Sequence, residues 1–253
     1  MIQKYPLLVL ALTLALLSAA AWFGATRFQR FRTQVAALRE DFNVVQGMSL
    51  TLLGLLIGFT FSMALGRYDQ RKNYEEEEAN AIGTEYLRAD LLPAATQAAF
   101  RQRLVAYVDQ RILYYTTRDN DRLEGIVAET TRLQNEMWSI ARDAGLANPN
   151  ALSGLVVSGM NDVINTQGYT TAAWSNRIPL AAWGLMFFAA ASATLLIGIG
   201  MRRGEGSSRI LHVLPFIIAV AFFLISDIDS PRRGVIRVSP QNLLMLKESL
   251  QAP

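Results

Sequence analysis

The chain has 253 residues, 51% of them hydrophobic and 18% charged, with a mean hydropathy of +0.21. Soluble domains carry roughly 25% charged residues, so these values and the bunching of the apolar residues indicate a membrane protein. The absence of cysteine, with a single histidine at His212, excludes a disulfide scaffold, thiolate metal sites and a cysteine nucleophile.

Residues 7–25 run for nineteen positions without a charge. That is close to the roughly 20 residues a helix needs to cross a bilayer core of about 30 Å, and it predicts a first span. A cleaved signal peptide is the alternative, but the apolar stretch exceeds the roughly 7–15 residues usual in such leaders. Residues 42–66 contain no charged side chain and predict a second span centred on LTLLGLLIGFTFSMAL, with glycines inside it. Residues 178–201 predict a third span, and residues 210–226 a shorter fourth that contains His212 and Pro215.

The expected fold is therefore an all-α membrane protein with four transmembrane helices in two pairs flanking a soluble helical bundle. Spans one and two occupy 1–66, the soluble domain 67–177, spans three and four 178–229, and a C-terminal tail 230–253. The short connections are basic, with Arg27, Arg30, Arg32 and Arg39 in the first pair and Arg202, Arg203 and Arg209 in the second. Nine Lys and Arg near the membrane on the side of the termini and middle domain, against seven on the other, favour a cytoplasmic side for the termini, whereas the four arginines directly after span one argue the reverse.

The middle domain carries a net charge of −3 and the rest of the chain +6, so the basic excess hugs the membrane. Interfacial arginines meeting anionic lipid explain the pI of about 9.3 better than nucleic acid does, and nucleic acid is not expected as a partner. Nothing from Arg67 to Leu92 breaks a helix before Pro93, so span two is expected to continue out of the membrane. After Pro93, Phe100, Leu104, Tyr107, Val108, Arg111 and Tyr115 recur at helical spacing. Asp119 or Asp121 can cap the next helix, whose face is Ile126, Thr130, Leu133, Met137 and Ile140 and which is expected to end at Gly145. Asn148-Pro149-Asn150 makes a turn, and residues 151–176 lead as a last helix into span three.

Three groups of residues could carry chemistry. Gly54, Gly58, Ser62 and Gly66 recur every four residues and share one face of span two. Such a face either packs closely against another helix or lines an aqueous path, with Phe61 and Leu65 beside it to narrow the passage. Glu75, Glu76, Glu77 and Glu78 sweep around the continuing helix. They form either a solvated face paired with Arg71 and Lys72 at i,i+4 or, in an oligomer, rings of vestibule charge. At the end of span four, Asp227 and Asp229 precede Pro231, Arg232 and Arg233. Either the arginines satisfy the aspartates and anchor on headgroups, or the cluster is an ion gate or inter-subunit latch. His212 reads as a polar interhelical contact rather than a proton sensor. No P-loop, dinucleotide glycine pattern, metal-ligand cluster or nucleophile elbow is present, so neither enzyme activity, a cofactor nor a metal is expected.

The stretches GFTFSMALGRYDQRKNYEEEEANAIGTEYLRADLLP and FFLISDIDSPRRGVIRVSPQNL resemble the bacterial bestrophin-like membrane proteins. The resemblance implies the architecture of bestrophins, which are pentameric ion channels with two spans, a large cytoplasmic helical region and two more spans. It also implies that the second span lines the pore. Counting back from Tyr68-Asp69 places Ser62, Gly58 and Gly54 on the face that in bestrophins carries the neck. Gln70 stands where bestrophins have an arginine, and glycine and serine replace bulky neck residues, which implies a neck that is wider or absent. The leading reading is a homo-oligomeric, pentameric ion channel whose partners are further copies of itself, membrane lipid and small ions. The rivals are a non-conducting membrane scaffold or sensor that binds a partner protein through the soluble domain, and, more weakly, a membrane-embedded enzyme using Asp227 and Asp229.

Overall fold

The computed structural model of the chain describes residues 5–28, 39–201 and 207–251. Arg30, Arg32, Arg202 and Arg203, counted above for membrane orientation, lie outside the described residues. Those described fold into helices with no strand among them: α1 (Pro6–Arg27), α2 (Arg39–Arg88), α3 (Ala94–Thr116), α4 (Asn120–Ala147), α5 (Ala151–Ser175), α6 (Leu180–Gly200), the single turn α7 (Ser207–Ile210), α8 (Val213–Ile228) and α9 (Gln241–Gln251). They form two compact units, Met1–Arg67 with Arg177–Ile236 and Tyr68–Asn176 with Arg237–Pro253. α2 contributes its first half to one unit and its second half to the other, as its unbroken sequence from Arg39 to Arg88 predicts.

In the first unit α1 packs along α6 and α8. Pro6 starts α1 where its missing N–H costs nothing, and Val9, Thr13, Leu17, Ala21 and Gly24 form the buried stripe at three- and four-residue spacing. The crossing with α6 brings two backbones into contact. A Cβ on Gly24 would lie 2.4 Å from the Leu195 carbonyl oxygen, and one on Gly198 would lie 2.1 Å from that of Ala21. Close approach through small residues is how apolar helices gain packing without a hydrophobic drive between them. Nearer the start of α6, Trp183 and Phe187 meet Phe222 of α8 edge-on, at centroid distances of 5.9 and 5.0 Å.

Three stretches are long and apolar enough to cross a bilayer: Pro6–Arg27, Arg39–Leu91 and Ala151–Gly200. The fourth expected span is α8, with 16 residues. At 1.5 Å per residue it reaches about 24 Å, short of a core of roughly 30 Å. The sequence expectation for its start, residue 210, fails because the chain turns at Leu211 and His212 before α8 begins.

The second unit is a helical bundle in which α3 packs on α4, α4 on α5, and α9 on α3. Ile82, Phe100, Leu104, Tyr107, Met137, Met160 and Leu243 are fully enclosed in its core. A 3-10 turn, Ala89–Leu91, ends the run of α2 before Pro93. Asp119 caps α4 by accepting the Asp121 N–H, and Asn150 caps α5 in a capping box with Ser153. α4 continues to Ala147, past the expected stop at Gly145, because the capping turn begins only at Asn148. The last helix belongs to this bundle and not to a separate tail, since Leu243 is buried in the core and Lys247 pairs with Asp109 at 2.7 Å.

A valine at Gly198 should force the α1–α6 crossing apart and cost roughly 1–3 kcal/mol as overpacking. Thermal unfolding of the intact protein in detergent checks this, and a transition as high as that of the unsubstituted chain would contradict it.

Candidate functional site

Along α2 one stripe is buried from Leu53 to Glu85: Leu53, Thr60 and Ala64 in the first unit, then Arg71, Glu75, Glu78, Ile82 and Glu85 in the second. The spacings of three, four and seven keep these residues on one side of a helix. Ser62 lies nine residues on from Leu53, about two and a half turns, and so on the opposite side. Gly54, Gly58, Ser62 and Gly66 are all exposed. A Cβ built on any of the three glycines would meet nothing within 4 Å. Phe61 and Leu65, beside them, are 38% and 43% exposed. Among the described residues, the small-residue edge thus packs against no helix of its own subunit.

The glutamate run divides in two. Glu76 and Glu77 are exposed, as expected for charge facing water, whereas Glu75 and Glu78 are buried. Neither of the buried pair is free to line a vestibule, because the phase of the buried stripe carries both into the bundle. Glu78 forms an ion pair with Arg111, and accepts hydrogen bonds from the Tyr115 hydroxyl at 3.3 Å and from Thr170 Oγ1 at 3.2 Å. Arg111 also lies over the Tyr114 ring, 4.4 Å from its centroid. Burial acts to lower the pKa of Arg111, but the charge of Glu78 outweighs it and the net shift is upward. Glu75 accepts from the Leu243 N–H at 2.9 Å and from Asn242 Nδ2 at 2.6 Å, and so supplies the acceptor that the first turn of α9 lacks. Burial raises its pKa, and those hydrogen bonds offset part of the rise.

Glu85 continues the same stripe. It is wholly buried, neither carboxyl oxygen has a hydrogen-bond partner, and its ion pair with Arg88 is long, at 3.8 Å. It presses on α5 where a Cβ at Gly159 would lie 1.9 Å from Glu85 Oε2, so only glycine admits it there. Burial pushes its pKa up to about 8, against the opposing pull of Arg88.

At the end of α8, Asp227 and Asp229 are buried. Asp227 accepts the N–H groups of Val235 and Ile236, each at 2.8 Å. Asp229 accepts the Ile178 N–H at 3.2 and 3.3 Å and pairs with Arg67 at 3.8 Å. Backbone amides hold both aspartates, Arg67 is a further partner of Asp229, and Arg233 lies over the Tyr5 ring at 4.6 Å. His212, expected as an interhelical contact, is exposed at the N-cap of α8 and makes no side-chain cap.

A family model, the Bestrophin-like domain, matches residues 9–243. The chain belongs to the bestrophin-like family. Its fold is similar to that of a bacterial bestrophin homologue from Klebsiella pneumoniae. One crystal structure of that protein, a single-site mutant, aligns with a TM-score of 0.69 at 13% identity over 95% of each chain. Another, phased on zinc, aligns with a TM-score of 0.65 at 15% identity over 96% of this chain and 99% of that one. A crystal structure of a membrane protein with a single substitution gives 0.67 at 14% identity, covering 96% and 98%. Comparison with curated protein sequences gives no match.

In this bestrophin-like chain the sequence singled out the residues of α2 correctly as one face, and the structure leaves that face open. It missed the buried ion pair of Glu78 with Arg111, although an arginine inside an apolar stripe already signals a buried partner. It also missed Glu85, in phase with Glu75, Glu78 and Ile82.

Two measurements test these placements. Glu78→Ala leaves Arg111 buried and uncompensated and should cost about 3–5 kcal/mol, whereas pairing it with Arg111→Met should recover much of the loss. Denaturant unfolding of the intact protein compares the two, and equal destabilisation would refute the pairing. For Glu85, a folded pKa above the unfolded one means its contribution is fully present below about pH 4.5 and is lost as pH rises through 8. Stability of the wild type should therefore fall across that window relative to Glu85→Gln, by at most about 5 kcal/mol. Parallel pH profiles for the two proteins would contradict this.

Proposed function

We propose that the chain assembles as a homo-pentameric ion channel of a bacterial inner membrane, with α2 lining the pore. The open edge of α2 carries this reading. In a single subunit Gly54, Gly58, Ser62 and Gly66 face away from the packed stripe and are exposed, and among the described residues a Cβ on any of the three glycines meets nothing within 4 Å. Membership of the bestrophin-like family and likeness of fold to a bacterial bestrophin homologue support this reading.

Gly54, Gly58 and Ser62, with Phe61 and Leu65 at their side, form the constriction in this reading. Lacking side chains, the glycines leave a wide path, and the Ser62 hydroxyl wets it. Glu76 and Glu77, the exposed pair on the same helix, supply the vestibule charge, repeated in each subunit. α8 completes a fourth crossing together with the polar residues at its ends, and the termini lie in the cytoplasm. Asp227 and Asp229 are structural, and the chain carries no catalysis. Membrane lipid and small ions are its other partners.

Purified protein in a planar bilayer should show unitary currents, and Gly58→Trp should abolish them by filling the constriction while leaving assembly intact. Absence of current across pH, calcium and voltage, or a monomer by native mass measurement, would overturn the proposal.

A further inference from the structure

Two contacts of opposite chemistry tie α5 to α2 inside the helical bundle. At one, Thr170 Oγ1 donates to Glu78 at 3.2 Å, and Arg111 and Tyr115 complete the surroundings of that carboxylate. At the other, about three turns earlier on α5, Glu85 occupies the place that a side chain at Gly159 would take. Glu85 is wholly buried, and neither of its oxygens has a hydrogen-bond partner. The charged groups around it do not supply one. On its own helix, Arg88 Nη1 stands 3.8 Å away, beyond hydrogen-bonding distance, and 3.9 Å from Asp162 of α5. Asp162 is exposed, and its charge repels that of Glu85. From the 3-10 turn and α3, Asp90 and Arg101 pair with each other at 2.6 Å, and Arg103 pairs with Glu136 of α4 at 2.8 Å. The residues of α5 that flank Gly159 in the core, Val156, Met160 and Val163, are apolar. An ionised Glu85 is therefore costly while it stays seated, and the neutral acid far less so.

We propose that Glu85 is a proton-operated latch: the neutral acid seats α5 on α2 at Gly159, and loss of its proton to water releases that part of α5 from the bundle. Gly159 makes the contact sensitive, because no Cβ keeps the two helices apart and the carboxyl group itself fills the gap. Burial, with a smaller push from Asp162 and against the pull of Arg88, raises the pKa of the seated acid from 4.5 to about 8. The contact is thus fully held below about pH 4.5 and is lost progressively as pH rises through 8. Glu78 keeps its partners over the same range, so the Thr170 end of α5 stays in place and the opening is local. The latch stands whether or not the chain conducts.

Hydrogen–deuterium exchange of the intact protein in detergent, read on peptides between pH 5 and pH 8, tests the latch. Peptides covering residues 156–163 report the contact at Gly159, and peptides covering 126–141 of α4 serve as an internal reference, since intrinsic exchange depends on pH in the same way in both. Where exchange follows the opening equilibrium, the ratio of the two rates should rise at least about tenfold across that range. Glu85→Gln, neutral at every pH, should hold the ratio flat, and peptides around Thr170 should stay protected in both proteins. A flat ratio in the unsubstituted protein, whether because the contact never opens or because α4 loosens equally, overturns the proposal even if the variant fails to fold. So does an equal rise in Glu85→Gln, or a loss of protection around Thr170 that matches the loss at Gly159.

Discussion

The arrangement depends on the phase of one helix. α2 runs for 50 residues, and its buried positions keep to a single stripe from Leu53 to Glu85. Because a helix turns by about 100° per residue, fixing that stripe fixes everything on the other side of the cylinder. It orients Gly54, Gly58 and Ser62 outward, and it also draws Glu75 and Glu78 inward. A one-residue slip in register would bury the glycine edge and put the ion pair of Glu78 in water. The site and the core are thus consequences of one choice of face.

The polar half of the stripe is expensive. Burying Glu75, Glu78, Glu85, Arg71 and Arg111 in one bundle removes charges from water, and such pairs offset that cost only when their geometry and hydrogen bonds are complete. Glu78 is well satisfied, with Arg111, Tyr115 and Thr170 around it. Glu75 is satisfied by the start of α9, which ties residues far apart in sequence into one core. Glu85 is not satisfied, neither carboxyl oxygen having a hydrogen-bond partner, and it sits tightly against Gly159. The contrast suits a structure in which polar groups set register: the wrong alignment would strand several charges at once.

Much of this was legible in the sequence. The apolar runs, the continuation of span two to Pro93, the face from Phe100 to Tyr115, a cap at Asp119 or Asp121 and the turn at Asn148-Pro149-Asn150 follow from local rules of spacing and hydrogen bonding. The fate of the glutamate run did not follow. Four adjacent carboxylates look alike locally, and what separates Glu75 and Glu78 from Glu76 and Glu77 is the packing of α3, α5 and α9 against one side of α2. Partners such as Arg111, Thr170 and Leu243 lie 33, 92 and 168 residues away, beyond any local pattern. The amides of Val235, Ile236 and Ile178 that hold the aspartates closing α8 were not legible either, since a backbone amide carries no signal in residue type.

Water at the open edge of α2 is the central claim, and thiol reactivity measures it directly because the chain has no cysteine of its own. Single variants Ser62→Cys and Phe188→Cys, the latter on an exposed apolar position of α6, would be reconstituted in lipid vesicles and treated with a charged, membrane-impermeant thiol reagent. A thiol reacts through its thiolate, which forms in water and not in hydrocarbon. The account predicts rapid modification at position 62 and little at position 188. Equal resistance at both positions would show that the glycine edge faces lipid or protein, and that α2 lines no aqueous path.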